Sequence, residues 1–292
     1  MPSVLVPAQR PAFAANYNQS SFAFEHSLQG LDLFDTPQLV ALSQRLPDQA
    51  YYSTATDAAV GDGWKRIGDR SRTLTETLES LATTNSLVLL KHCEKDPVHG
   101  AVFRGLMDDV IAQVGEPLRG DVATGRATLV ISSPRRVTSY HIDAEVNFLL
   151  QVRGRKLLHT FDPSDRAILS EAELEAFYGG DWDGALYKVD RQNEARVYPL
   201  QPGAGVHLPL HAPHWAQNLD EVSVGISLNF NLKSGARLAT LYKVNNRLRK
   251  AGMTPQAPGA SSWQDGLKLA AFAGLSLARP LLRPRFAKAA VR

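Results

Sequence analysis

At 292 residues, with 44% hydrophobic and 21% charged residues, the chain has the composition of a soluble globular protein, one large domain or two small ones. Its single cysteine, Cys93, excludes an internal disulfide framework and a multi-cysteine zinc site, and fits a reducing compartment with the cytoplasm as the expected location. The net charge of +3 is unevenly divided: residues 233–292 hold 12 Lys or Arg and one acid, Asp265, whereas the first 232 residues hold 20 basic and 28 acidic residues.

In chain order, residues 1–20 are polar and punctuated by proline; they read as an extended arm, without the unbroken apolar core of an export signal. Residues 21–120 alternate helix-like and strand-like segments. "TPQLVALSQRL" starts a helix at Thr36, "TLTETLESLA" is amphipathic, "SLVLLKHC" is strand-like and "PVHGAVFRGLMDDVIAQV" is helical, so this part reads as an α/β flank packed on a core. Residues 121–232 change texture to short β-rich runs, "ATLVISS", "VTSYHID", "VNFLLQV", "KLLHTFD", "ARVYPLQ", "GVHLPL" and "VSVGISLNFNL", which suggest a sandwich or small barrel. Residues 233–292 form a basic helical segment, with candidate helices in "SGARLATLYKVNNRLRKAG" and "SWQDGLKLAAFAGLSLA" separated by a Pro/Gly-rich break. The longest apolar run, residues 269–278, is well short of the roughly 20 residues that a membrane span needs.

The chemistry is concentrated in "VTSYHIDAEVNFLLQVRGRKLLHTF", residues 137–161. His141 and Asp143 are two apart and share one face of a strand, where an imidazole and a carboxylate can grip one ion. If Gly154 and Arg155 make a two-residue hairpin turn, Asn147, Leu149 and Gln151 share a sheet face with Lys156, Leu158 and Thr160. Asn147 and Lys156 then look into one space. A buried lysine is costly unless an anion meets it; the bland alternative is a solvated outer face. A third metal ligand is available in "GVHLPLHAPHWAQN", which offers His207, His211 and His214. Two imidazoles and one carboxylate form the facial set that leaves positions open on non-haem Fe(II). Residue chemistry alone does not choose among the three histidines.

The block from Thr138 to Asn229 resembles the JmjC and cupin-like branch of the Fe(II)/2-oxoglutarate-dependent oxygenases, with spacing similar to the asparaginyl hydroxylase of hypoxia-inducible factor. In that family a Thr lies three residues before the first His, the acid two after it, an Asn six after and a Lys fifteen after. Thr138, His141, Asp143, Asn147 and Lys156 occupy these places, and Pro209, His214, Asn218 and "ISLNF" with Asn229 match the second motif. The resemblance implies a mainly β protein, a double-stranded β-helix (jelly roll) of the cupin/JmjC type with flanking N-terminal helices and a C-terminal helical segment. It implies His141, Asp143 and His214 as catalytic iron ligands, and 2-oxoglutarate chelated to the iron with its far carboxylate on Lys156 and Thr138. Asn147 and Asn229 would orient the ligands, and the products would be succinate, CO2 and a hydroxylated substrate. The family usually has bulky aromatics just before the distal His, whereas this chain has "HAPHW", so His211 is the second choice of ligand or a pocket-lining residue.

Other features read as structural. "HCEKDPVHG" contains a His-x-Glu pair, but Asp96 before Pro97 suits the cap of a helix. His26 and His159 read as packing or surface residues, Cys93 as an ordinary strand-end residue, and "GDGW" at 61–64 as a turn. The basic tail suits docking or a homodimer through C-terminal helices, as the family implies; peripheral contact with an anionic membrane is a further reading, and nucleic acid is disfavoured because no helix-turn-helix or zinc finger is evident. A non-catalytic cupin-like ligand-binding or regulatory module is the alternative to an enzyme.

Overall fold

The computed structural model describes residue 5 and residues 10–53, 58–63 and 71–282; Trp64 of the expected turn and Arg283, Arg285 and Lys288 of the basic tail lie outside them. Eleven strands among the described residues form two antiparallel sheets. The major sheet has the order β1 (Phe22–Glu25), β9 (Ala204–Leu208), β6 (Val146–Arg153), β11 (Ser223–Leu232), β4 (Val122–Ser132), β3 (Leu87–Leu90), β2 (Ala50–Ser53). The minor sheet has the order β5 (Val137–His141), β10 (His214–Asn218), β7 (Lys156–Thr160), β8 (Arg196–Leu200). The helices are α1 (Arg10–Asn16), α2 (Thr36–Arg45), α3 (Leu74–Glu79), α4 (Gly100–Val114), α5 (Glu116–Arg119), α6 (Glu171–Tyr178), α7 (Lys233–Lys250) and α8 (Ser262–Leu282).

Period-two alternation sorts the side chains into three layers. On the outer face of the major sheet, Val146, Phe148 and Leu150 of β6 join Phe13 of α1 and Phe103, Leu106 and Val110 of α4 in the largest apolar cluster. Phe13 stacks on Phe148 at 5.9 Å between ring centroids. Residues 10–16, expected within an extended arm, are therefore a helix, because Phe13 is fully buried and anchors it. Between the sheets, Leu149, Leu158, Leu200, Val206, Leu208 and Ala216 line the barrel. On the outer face of the minor sheet, Tyr140, Phe161, Leu174, Phe177, Trp215 and Tyr242 pack under α6 and α7. Helix α6 begins at a capping box, Ser170 and Glu173, each bonding the other's backbone N–H.

The hairpin expected at Gly154–Arg155 does not form. β6 pairs with β9 and β11, and β7 pairs with β8 and β10, so the chain crosses from one sheet to the other at Gly154. Gly154 has φ +68, and a Cβ there would lie 2.3 Å from the Val222 carbonyl oxygen, so no other residue fits unstrained. The N-terminal flank also contributes more than a cover: β1, β2 and β3 complete the two edges of the major sheet. Among the described residues, no helix is long and apolar enough to cross a membrane.

Candidate functional site

His141 ends β5 and His214 begins β10, and these residues are directly opposed in the antiparallel ladder. Their rings lie 4.1 Å apart between centroids. Asp143, two residues beyond β5, puts a carboxylate oxygen 3.9 Å from His214 Nε2. One ligand atom from each of His141, Asp143 and His214 lies within 4.8 Å of the others, the one such cluster of His, Cys, Asp or Glu among the described residues. His141 Nδ1 donates to the Ser139 carbonyl at 2.7 Å, and His214 Nδ1 to the Ala212 carbonyl at 2.9 Å. Nδ1 of each ring is thus committed to a backbone carbonyl, which leaves Nε2 as the nitrogen that can face a metal. Burial, reinforced by His141, holds His214 well below the usual imidazole range, with Asp143 opposing.

Thr138 and His141 are three apart, which on a regular strand puts them on opposite faces. A bulge between β5 and β10 absorbs the odd residue: His214 faces His141 while Ala216 faces Thr138. Both side chains thereby join the inner wall.

Lys156 lies on the same inner face of the minor sheet, opposite Asn218, four ladder positions from the Thr160–His214 pair and so about 13 Å along the strand direction. It is 4% exposed and forms no ion pair with the described residues. Desolvation alone pushes its ammonium down to about 8. Across the interior, Asn147 and Asn229 are directly opposed on the major sheet. Asn147 Nδ2 donates to Ser227 Oγ at 2.8 Å, and Ser227 Oγ donates to Asn229 Oδ1 at 3.0 Å. Asn147 Oδ1 is buried without a partner. Turning both amides over reverses this chain while keeping both hydrogen bonds, and then presents an N–H donor where that oxygen now sits.

All seven sequence candidates, Thr138, His141, Asp143, Asn147, Lys156, His214 and Asn229, thus line one interior. Asn147 and Lys156 stand on opposing sheets instead of lying side by side on a hairpin. Two acidic and basic neighbours escaped the sequence reading: Arg126 of β4, opposite Asn229, pairs with Glu145 at 3.1 Å. Burial and then the Asp143 carboxylate raise Glu145, and Arg126 opposes them. Ser227, also missed, was signalled by its place two residues before Asn229 on one strand.

The remaining histidines have other partners. His207 faces the outer layer, accepts from Asn18 N–H at 3.0 Å and donates to the Asn147 carbonyl at 3.1 Å; burial lowers it to about 3. His211, at φ +64, shares a 2.6 Å hydrogen bond with the Tyr178 hydroxyl and lies outside the cluster. His159 stacks on Trp215 at 3.8 Å, and His26 is buried, accepting from Leu28 N–H. In "HCEKDPVHG", Glu94 is held by His92 and by Ala127 N–H, while Asp96 accepts from the backbone of Val98 and His99 and pairs with Arg45. Buried Cys93 is pushed up to about 12 by desolvation, as an inert thiol should be.

No family model matches the chain. It is similar to the HSPB1-associated protein 1 homolog of Danio rerio, at 28% identity over 124 residues, which cover 39% of this chain and 28% of that protein. The chain thus spans under a third of that curated relative. Among solved structures, Escherichia coli ribosomal oxygenase YcfD in complex with cobalt and succinic acid superposes at TM-score 0.50 and 15% identity, covering 94% of this chain and 67% of that chain. YcfD in complex with cobalt and 2-oxoglutarate gives TM-score 0.49 at 14% identity, covering 92% and 66%. The likeness bears out the double-stranded β-helix fold of the JmjC/cupin type; the narrower likeness to the asparaginyl hydroxylase rests on motif spacing alone.

Proposed function

We propose that the chain is an Fe(II)- and 2-oxoglutarate-dependent oxygenase that hydroxylates its substrate with release of succinate and CO2. The observation that carries this reading is Lys156: a buried ammonium with no counter-charge among the described residues, in the same interior as a His–Asp–His cluster. Burying a lone cation costs several kcal/mol, of the order that one partner's removal from a buried pair produces. A small dianion whose other end reaches the metal cluster removes that cost. The N, N, O donor set suits Fe(II) with positions left open, and the YcfD complexes contain cobalt with succinic acid or 2-oxoglutarate in a related fold.

When bound, iron and 2-oxoglutarate supply the activation of O2 through oxidative decarboxylation. The chain does the rest. His141, Asp143 and His214 hold the metal through two pre-set imidazole lone pairs and one carboxylate. Lys156 fixes the far carboxylate of the co-substrate, with the Thr138 hydroxyl as a further donor. Asn147, in the reversed amide chain through Ser227 and Asn229, donates into the same space. Leu149, Leu158 and Ala216 keep the interior dry around these charges.

The test is anaerobic reconstitution of the full chain with Fe(II) and 2-oxoglutarate, followed by admission of O2. The expected result is slow succinate formation without added substrate. Binding of 2-oxoglutarate with no succinate would instead assign a ligand-binding module, and absence of both would overturn the reading.

A further inference from the structure

One inward-facing cation, Arg126, has no part in holding the metal or the co-substrate. It stands in β4 directly opposite Asn229, which is itself opposite Asn147, and residues opposed in a ladder share a face. Ala127, Leu129 and Ile131 lie in the outer cluster, so alternation also turns Arg126 inward. A guanidinium carries five N–H donors. Among the described residues Arg126 meets one acceptor, Glu145 Oε1, through Nη2 at 3.1 Å, and its Nε is buried without a partner. A guanidinium committed to one carboxylate commonly makes two parallel bonds. This one makes a single bond, and 28% of the Arg126 side chain stays exposed.

A bond between the sheets gives its level along the barrel. Asn218, the ladder partner of Lys156, donates to Ser132 Oγ of β4 at 2.8 Å. From that tie His214 is four residues along β10 and Arg126 six residues along β4. The pair with Glu145, two residues from Asp143, shows that both strands run towards the metal cluster. Arg126 therefore lies about 7 Å beyond the cluster, on the side away from Lys156. A diacid fixed between Lys156 and the metal leaves it for a second molecule.

The charges around Arg126 say what that molecule carries. Burial and the Asp143 carboxylate act against the charge on Glu145, while Arg126 and Lys91 act for it, so a second cation lies near the same carboxylate. Glu94 is taken up by His92 and by Ala127 N–H, and Asp143 belongs to the metal cluster. Two cations thus share one acid, Glu145. A surplus of one positive charge suits a carboxylate better than a phosphate dianion.

We infer that Arg126, held by Glu145, anchors a carboxylate of the substrate on the outer side of the metal cluster, so that the molecule hydroxylated is a carboxylic acid or an acidic side chain. The inference rests on the oxygenase reading.

The experiment loads the full chain with Co(II) and 2-oxoglutarate and reads the paramagnetic relaxation that Co(II) imposes on the protons of small probes. These are butyrate, N-acetylglutamate α-amide, butyramide and butylammonium. Saturable enhancement is expected for the two acids and for neither of the others. Arg126→Leu weakens it at least about tenfold and Arg126→Lys restores part of it. Glu145→Gln, which frees the guanidinium, strengthens it about twofold to fivefold, a gain that a merely structural ion pair does not give. Whichever acid binds tighter assigns the source, a small free acid or an acidic side chain, and either order supports the inference. With 2-oxoglutarate bound, no enhancement, equal enhancement by butyrate and butyramide, or preference for butylammonium overturns it. So does enhancement that 2-oxoglutarate displaces, which puts the probe in the co-substrate's place. Failure of the wild type to bind 2-oxoglutarate, measured first, instead overturns the oxygenase reading and this inference with it.

Discussion

The two faces of β6 belong to one eight-residue strand and differ in everything else. Val146, Phe148 and Leu150 point outward into an apolar layer, in which Phe148 also packs on the His207 ring at 4.5 Å. Asn147, Leu149 and Gln151 point inward, and both amides leave an oxygen buried without a donor. One face is satisfied as it stands; the other leaves polar atoms over. Stability and chemistry are thus separated by a single residue step along the chain, and substitutions on the two faces should fail in different assays.

The largest effect is expected at the metal cluster. Asp143→Ala or His214→Ala should reduce iron retention and succinate formation to background, with unfolding in urea little changed; His207→Gln, a histidine on the outer face, should leave iron content intact. Metal analysis of the purified variants checks both. Next comes Phe148→Ala, which removes a ring stacked on Phe13 and should cost about 3–5 kcal/mol of stability by denaturant titration, while the folded fraction still binds 2-oxoglutarate.

Lys156→Met should act in both assays with opposite signs. Affinity for 2-oxoglutarate should fall about a hundredfold, a charge pair worth about 3 kcal/mol, yet the ligand-free protein should become about 3 kcal/mol more stable because a buried cation with no ion-pair partner among the described residues is gone. The pH dependence follows the same sign. The folded ammonium lies at about 8, below its unfolded value of 10.5, so the unfolded chain binds more protons between the two. Lys156 therefore weakens the ligand-free fold below about pH 8, and this penalty is relieved as pH rises towards 10.5. Calorimetric unfolding of wild type and Lys156→Met across that range should converge. The smallest effect is Thr138→Val, expected to weaken co-substrate binding by about 1 kcal/mol, measured by isothermal titration.

The sequence made the inner face readable because strand alternation is local: His141 with Asp143, Asn147 with Gln151, and Lys156 with Leu158 each share a side by spacing alone. It misread how these pieces meet. Gly154–Arg155 has the composition of a tight turn, and the same positive φ serves a crossing between sheets; only the pairing of β6 with β9 and β11 distinguishes them, and those partners lie more than 50 residues downstream. The shared face of Thr138 and His141 depends on a bulge that only the partner strand defines. Strand β10 was not expected, since "HWAQN" carries no alternation of its own, so His214 was chosen by resemblance to a family and not by physics. Helix α6 left a legible sign in Ser170 and Glu173 that went unread, and α1 left Phe13 in a stretch dominated by prolines.

At Gly154 the crossing from β6 to β7 nests against the carbonyl of Val222, on the connection leading into β11, and Arg155 bonds Leu219 and pairs with Glu221 beside it. That end of the barrel is stoppered, and Lys156 stands two residues inside the stopper, whereas Asp143 at the other end keeps 29% of its side chain in contact with solvent. Under the proposed function, the diacid would pass the metal before anything larger sits over it, and its spent product would wait for the larger molecule to depart. A compulsory order of arrival, visible as a characteristic pattern of product inhibition, would then trace to a glycine that touches neither.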